Sequence, residues 1–218
     1  MLKKIMIRWC QFLEEASEKS YREAIGKAVY KCLAASHIVV PVFNDLSKLK
    51  EVAKTDATPP LKFMLVDEVN AASLAPMYRT RSRRLKFASN MRAGYYAYAV
   101  ASNGRIIGDI WCAAPGRVKN FPIHPDLSWL AIQCKESEAY MFDMYVAPDF
   151  RGKVITSFLL GGALSHLKAQ GYGGVYGFYE KSNLPALWTH RLFGYTELGN
   201  RKITRFLFLQ KSEPATLP

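Results

Sequence analysis

In the stretch from Met141 to Leu160, MFDMYVAPDFRGKVITSFLL, basic residues directly precede the start of a predicted helix. Its first apolar run is typical of a buried strand, Pro148 turns the chain, and the apolar spacing from Val154 predicts a helix. The first turn of a helix presents backbone N–H groups without intrahelical partners, and such groups bind phosphate. Arg151 and Lys153 add positive charge. The stretch is therefore a candidate anion site, and an ordinary strand-to-helix corner with a basic rim is the alternative.

Alternating strands and helices surround this stretch from Leu61 onward. Residues 93–113 predict a hairpin, because Asn103-Gly104 supplies the positive φ angles of a tight turn between two apolar runs. Residues 113–137 predict a long irregular loop of the kind that often faces a substrate. The helix predicted from Val154 to Gln170 carries a stripe with the small residue Gly162, which lets a helix lie close on a sheet. Its first-turn amides should lie beyond the carboxyl end of the preceding strand, where open α/β sheets bind ligands.

Residues 1–60 have a different pattern from the rest of the chain. Apolar positions at helical spacing over residues 5–35 predict one or two amphipathic helices with basic outer faces. They can pack on the following domain or on a second copy of the chain, and a basic amphipathic helix can also bind an anionic membrane surface. His37–Phe43 is a short strand candidate, and the polar, proline-terminated residues 47–60 predict a linker.

Composition restricts the class of protein. The 218 residues include 22% charged residues and carry a net charge of +12, which favours anionic partners such as nucleotides, phosphorylated cofactors, nucleic acid or an acidic membrane. The widely spaced Cys10, Cys32, Cys112 and Cys134 and the four histidines form no metal-ligand motif, so we expect no metal and a reducing, cytoplasmic location. No run of about 20 apolar residues is present, so we expect no transmembrane segment.

Two motifs lie in register along the chain. The first is Val146-Ala147-Pro148 followed by Arg151 to Thr156. The second combines Asn183 and Ala186 with Gly194-Tyr195 at the end of an aromatic-rich helix. Together they resemble the GNAT superfamily of N-acetyltransferases, in which the first motif has the form V-x-P and R/Q-x-x-G-x-G/A. The resemblance covers about residues 61–210.

The resemblance implies a mixed α/β (α+β) fold. We expect a mostly antiparallel, twisted sheet of six to seven strands with flanking helices, splayed at the central strand pair. It implies two units: residues 1–60 as a helical N-terminal extension and linker, and residues 61–218 as the acyltransferase domain.

The resemblance also implies a site for acetyl-CoA as the acyl donor. A bulge or splay in the strand carrying Met144, Tyr145 and Val146 would free backbone amides for the pantetheine arm and the thioester oxygen. Asn183 would bind the pantetheine amides or cap the next helix. The full set of donor-binding candidates comprises Met144, Tyr145, Val146, Arg151, Gly152, Lys153, Val154, Ile155, Thr156, Asn183 and Ala186.

Two positions depart from the family's glycines. Val154 and Thr156 stand where glycine leaves room for approaching phosphates. If Val154 points into the core, the amides can still bind phosphate. The departures predict weakened or reshaped acyl-CoA binding, or a different acyl donor.

Catalytic candidates follow from the family's direct attack of an amine on the thioester. The family often places a tyrosine acid seven residues after the signature asparagine, and here that position is His190. Some relatives use a carboxylate on the central strand, where this chain has Asp143; Asp109 and Glu138 are weaker candidates. His190 can instead be a half-buried helix residue, and Asp143 can instead pair with an arginine. Trp188 or Tyr195 could cover the pantetheine arm.

The arginine-rich segment from Arg79 to Lys86 has two interpretations. It is a solvated face, or it meets an anionic substrate, because the segment after the first family strand forms one wall of the acceptor site. It lacks the aromatic interleaving of nucleic-acid modules, so no nucleic-acid partner is expected.

The sequence therefore predicts an acetyl-CoA-dependent N-acetyltransferase acting on a primary amine of a small molecule, with a homodimer as a possible assembly. One alternative is a non-catalytic module that binds CoA or an acyl ligand. Another is an acyltransferase that takes its acyl group from an acyl-carrier protein.

Overall fold

The computed structural model describes residues 6–7, 9–14, 35–49, 60–118, 122–151, 154–206 and 209–215. Within the predicted N-terminal helices, the described residues 6–7 and 9–14 are helical. Most of the predicted linker, including residues 50–59, lies outside the described residues.

Nine strands are present in the described chain. They are β1 (Ala35–Asp45), β2 (Lys62–Val66), β3 (Tyr96–Ser102), β4 (Arg105–Ala113), β5 (Glu138–Val146), β6 (Gly174–Glu180), β7 (Thr196–Glu197), β8 (Arg201–Phe206) and β9 (Leu209–Pro214).

The helices of the domain flank this sheet. They are α1 (Ala71–Leu74), α2 (Arg81–Arg92), α3 (Asp126–Leu130), α4 (Ile155–Ala169) and α5 (Leu184–Leu192). Among the described residues, no helix is long and apolar enough to cross a membrane.

The strands form one sheet in the order β2-β3-β4-β5-β6-β1-β8-β9, with β7 paired to β1. All neighbours are antiparallel except β5 and β6. This confirms the predicted mixed, mostly antiparallel sheet, and the described strands are more numerous than the six or seven expected. The β3–β4 hairpin turns at Asn103 and Gly104, whose φ angles of 49° and 71° are both left-handed, as the Asn-Gly pair predicts.

Strand β1 explains part of the larger strand count. It includes the strand candidate His37–Phe43 and lies inside the sheet, bonded to β6 on one side and to β7 and β8 on the other. Val39 and Val42 are fully buried there. The predicted N-terminal extension thus contributes a strand to the same sheet as the residues after 61.

Helices cover both faces of the sheet. Helix α4 packs Ile155, Leu159 and Leu167 into one apolar cluster, and α2 and α3 contribute to the cluster on the other face. A Cβ atom at Gly162 of α4 would lie 2.6 Å from the Phe63 ring, so this glycine permits the close helix–sheet contact that the sequence predicts.

Candidate active site

A cleft opens where β5 and β6 separate. The two parallel strands pair only at Glu138 with Gly174, Ala139 with Val175 and Tyr140 with Tyr176. Beyond Tyr140 the edge of β5 therefore borders the cleft instead of a strand. The cleft is lined by Ile110, Met141, Phe142, Asp143, Met144, Leu160, Gly177, Phe178, His190 and Tyr195. The splay expected at the central strand pair is thus present.

Strand β5 also carries a bulge beside this cleft. Asp109 of β4 faces Tyr145, whereas Trp111, two residues later, faces Phe142, so β5 has one residue more than β4 in this interval. Asp143 lies in the interval with a left-handed φ of 52°. A bulge breaks the ladder locally and redirects the backbone. The irregularity predicted next to Met144, Tyr145 and Val146 is therefore found.

Asp143 is ion-paired on both carboxylate oxygens. Arg83 Nη1 donates to Oδ2 at 3.2 Å, and Lys86 Nζ donates to Oδ1 at 2.6 Å. Its side chain is 22% exposed and lines the cleft. The pairing with an arginine that the sequence left as an alternative is what the structure has.

Asp109 lies next to this pair, fully buried on β4. Arg83 Nη2 donates to both of its oxygens, at 2.5 and 2.6 Å, and Trp111 Nε1 donates at 3.2 Å. Burial raises the pKa of the Asp109 carboxyl, and the Arg83 guanidinium opposes that rise. Asp109 therefore accepts three hydrogen bonds and does not line the cleft.

The arginine-rich segment is divided by the periodicity of α2. Arg83 is buried and pairs with both aspartates, and the half-buried Lys86 pairs with Asp143, whereas Arg81 and Arg84 are exposed. Arg79 pairs with Asp149 at 3.2 Å on the surface. Sequence reasoning treated this run as one basic surface and missed that it supplies the partners of Asp109 and Asp143. An aspartate inside an apolar strand needs a cationic partner. The presence of two such aspartates in the sequence could therefore have indicated that basic residues of this segment point toward the sheet.

The N-terminal segment reaches α2 as well. Glu14 accepts hydrogen bonds from the backbone N–H of Ser82, at 2.9 Å, and from the Ser82 hydroxyl. Ser82 lies in the first turn of α2, where a carboxylate is favourable to the helix dipole. The predicted extension therefore contacts the wall that carries Arg83 and Lys86.

The start of α4 lies beyond the end of β5. Its N-cap residue, Val154, makes no side-chain capping hydrogen bond to the first-turn amides. Arg151 donates from Nε to the carbonyl of Val146 at 3.1 Å. Ile155 is buried and Thr156 half-buried. Gly152 and Lys153 lie outside the described residues.

Val154 does not point into the core. Its side chain is 45% exposed, whereas the next residue, Ile155, is 4% exposed. The helical periodicity that turns Ile155 and Leu159 toward the sheet rotates Val154 away from it. The valine in a position where the family has glycine is therefore exposed at the start of α4.

His190 lies on α5 with one face toward the cleft. Its Nδ1 donates to the carbonyl oxygen of Ala186 at 2.7 Å, since a carbonyl can only accept. The ring stacks on Tyr179 at 5.3 Å and meets the edge of Tyr195 at 4.8 Å. Burial lowers the pKa of His190 below its usual 6.5. The ring is therefore neutral near pH 7, with Nε2 as a hydrogen-bond acceptor.

Asn183 and Tyr195 occupy the two ends of this helix region. Asn183 caps α5, because its side chain accepts from the Ala186 N–H at 3.2 Å.

Tyr195 lines the cleft, whereas Trp188 is 65% exposed and does not line it. Glu138 lies at the opposite end of β5, where it accepts from the Lys135 N–H at 2.8 Å. The structure thus brings His190, Asp143 and Tyr195 to one cleft and leaves Glu138 and Trp188 outside it.

A mixed sheet that splits between two parallel strands, with a bulge beside the split and a helix starting beyond it, defines an acetyltransferase-type fold. The chain belongs to the acetyltransferase (GNAT) family, whose family model matches residues 63–195. The resemblance found in the sequence motifs is thereby confirmed.

Solved structures share this fold at low sequence identity. A glucosamine N-acetyltransferase region of a fungal multi-domain β-N-acetylglucosaminidase aligns with 86% of this chain and 23% of its own, at 17% identity and a TM-score of 0.59. A GNAT acetyltransferase from Colwellia psychrerythraea aligns with 82% of this chain and 59% of its own, at 14% identity and a TM-score of 0.51. A Drosophila protein aligns with 90% of this chain and 57% of its own, at 10% identity and a TM-score of 0.51. The chain thus spans less than two thirds of these structures, and no curated protein matches it.

Proposed function

We propose that the protein is an acetyl-CoA-dependent N-acetyltransferase that modifies a primary amine of a small molecule. The observation that carries this proposal is the split between β5 and β6, where a bulged strand edge and the His190 ring line one cleft. A cleft of this kind can hold an extended thioester arm against a strand edge and place its carbonyl beside a proton acceptor.

The donor site would run from the cleft to the start of α4. Backbone groups of Met144, Tyr145 and Val146 would bind the pantetheine arm, and Asn183 and Ala186 would line its other side. The pyrophosphate would bind at the α4 start, with backbone amides of Gly152, Lys153, Val154, Ile155 and Thr156 and the Arg151 charge. The helix dipole favours an anion there.

His190 would act as a proton acceptor. A neutral ring whose Nδ1–H is held by Ala186 offers Nε2 to a proton, directly or through water. This differs from the acid role that the family's tyrosine position suggests, because that role needs a donor at the cleft. In the reaction the ammonium loses one proton toward Nε2, a C–N bond forms from the resulting amine to the acetyl carbon, and the C–S bond breaks. The second proton that the nitrogen loses passes to the departing thiolate.

Asp143 would bind the acceptor rather than remove its proton. Both of its oxygens already accept from Arg83 and Lys86, so it is the partner of two cations. Its carboxylate also lines the cleft, where it would accept a hydrogen bond from the acceptor's ammonium group. An amino sugar is the first acceptor to test, because one fold relative is described as a glucosamine N-acetyltransferase region.

The test has two arms. Calorimetric titration with CoA and acetyl-CoA should show micromolar binding, and thiol release with a panel of amines and amino sugars should show turnover. Binding without turnover would favour the non-catalytic module, an outcome consistent with the exposed Val154 at the phosphate end. If neither CoA form binds while an acylated carrier protein supports transfer, the donor is a carrier protein.

A further inference from the structure

The charged cluster behind the cleft connects both sides of the β5 bulge through one side chain. Arg83 of α2 donates to Asp109 on β4 and to Asp143 on β5, the residue with the left-handed φ. Its guanidinium also lies 4.6 Å from the centroid of the Tyr145 ring. Arg83 therefore contacts the bulge residue and both members of the Asp109–Tyr145 register pair beside it.

The charged cluster has features expected of residues that fix the local backbone conformation rather than of residues that maximise stability. Arg83 and Asp109 are 6% and 0% exposed, and transferring both charges from water is costly even when they pair. The buried Nε of Arg83 has no hydrogen-bond partner among the residues that the structure describes. Asp143 holds a backbone conformation that L-residues seldom adopt. Such a conformation persists when surrounding contacts impose it, and Arg83 and Lys86 supply those contacts through the Asp143 carboxylate.

We propose that Arg83 is a positioning residue that, through Asp109 and Asp143, holds the β5 bulge in the form that the cleft requires. Arg83 does not line the cleft itself. It acts by fixing the backbone of Asp143, and thereby the direction of the strand edge from Met144 onward. This inference rests on the proposed function for its kinetic consequence, and its structural consequence can be measured without any activity.

The decisive variant is Arg83→Met combined with Asp109→Asn. It removes both buried charges together, so no uncompensated charge remains, and the asparagine oxygen can still accept from Trp111. Arg84→Met is the matched control, since Arg84 is the exposed neighbour on the same helix. Arg83→Lys serves as the conservative variant, because lysine keeps the charge but lacks the planar fork that reaches two carboxylates at once.

Two readouts decide the proposal. Backbone chemical shifts of Asp143 report its φ in the folded double variant, and we expect the left-handed signature to be lost while the Arg84 control keeps it. We also expect kcat/KM for acetyl-CoA to fall about 100-fold, since small displacements of a binding edge have effects of this size. Arg83→Lys should retain part of the activity. If the double variant does not fold, the same readouts on Arg83→Lys decide.

The proposal is overturned if the folded double variant keeps the Asp143 shifts, or if its kcat/KM stays within threefold of the parent protein; where the double variant does not fold, Arg83→Lys is judged by the same criteria. Failure of the proposed function is a separate result. It would appear as absence of CoA binding in the unmodified protein, and the Asp143 shifts would still show whether Arg83 holds the bulge.

Discussion

The Nδ1 atom of His190 lies 2.7 Å from the carbonyl oxygen of Ala186, one helical turn earlier. The carbonyl fixes the tautomer, because it must receive the ring proton. Nε2 is then the acceptor nitrogen on the ring that lines the cleft. Burial lowers the pKa of the ring because it penalises the charged imidazolium, whereas the hydrogen bond to Ala186 opposes that shift and is the smaller effect.

We predict that His190 titrates below 6.5. Its folded-state pKa is depressed, so between that pKa and 6.5 the unfolded chain binds more protons than the folded one. The contribution of His190 to stability is therefore complete above 6.5 and is lost as the pH falls. Titration of the imidazole Cε1–H signal by NMR, assigned with His190→Asn, measures this. A midpoint above 6.5 would contradict the neutral ring.

We predict that His190→Gln lowers kcat for amine acetylation by about 100-fold, the lower range for loss of a general base. Binding of CoA should change little, because the imidazole contributes to proton transfer and not to phosphate contacts. Steady-state thiol release and calorimetry separate these effects. Leu192→Gln is the control, since Leu192 is 74% exposed on the same helix. Unchanged kcat in the His190 variant would refute the base role.

We predict that Val154→Gly tightens CoA binding about threefold to tenfold. The exposed valine side chain stands at the α4 start, and its removal gives the phosphates closer access to the amides. The dissociation constant from calorimetry measures this. Val69→Gly, a change of a valine that is 94% exposed on another loop, should leave it unaltered. Weaker binding by Val154→Gly would show that the valine contributes contacts instead of crowding.

We predict that Glu14→Ala lowers the free energy of unfolding by about 1 kcal/mol, as expected for losing a carboxylate that accepts from a helix first turn. For a chain of this size this corresponds to about 2–4 °C in Tm. Thermal unfolding by circular dichroism measures the shift. Glu136→Ala, at an exposed turn, is the control. Equal Tm values for both variants would mean that the N-terminal contact adds no stability.

We predict that Gly162→Ala destabilises the fold by about 1–3 kcal/mol through overpacking. The added Cβ would lie 2.6 Å from the Phe63 ring, so the helix or the ring must move. Phe63→Leu should recover part of the loss when combined with it. A double-mutant cycle from denaturant unfolding measures the coupling, and strictly additive effects would disprove the direct clash.

Local sequence signals were sufficient to predict the turns and helix caps, because these depend on the conformational preferences and hydrogen bonds of neighbouring residues. The left-handed pair Asn103-Gly104 follows from its own conformational preferences, and the cap by Asn183 from its position before a helix. The spacing between the motif at Arg151 and the motif at Asn183 was sufficient to identify the family, and the family resemblance made the split between β5 and β6 predictable. The chemistry of a candidate proton carrier at His190 was likewise visible in the sequence.

Tertiary structure alone decided what those residues can do. Arg83 lies 26 residues from Asp109 and 60 from Asp143, and no periodicity reveals which buried carboxylates a guanidinium will meet. The exposure of Val154, the tautomer of His190 and the place of β1 inside the sheet depend on packing between distant segments. The sequence determined the family and the strand–helix order, whereas long-range burial and charge pairing decided how the cleft is built.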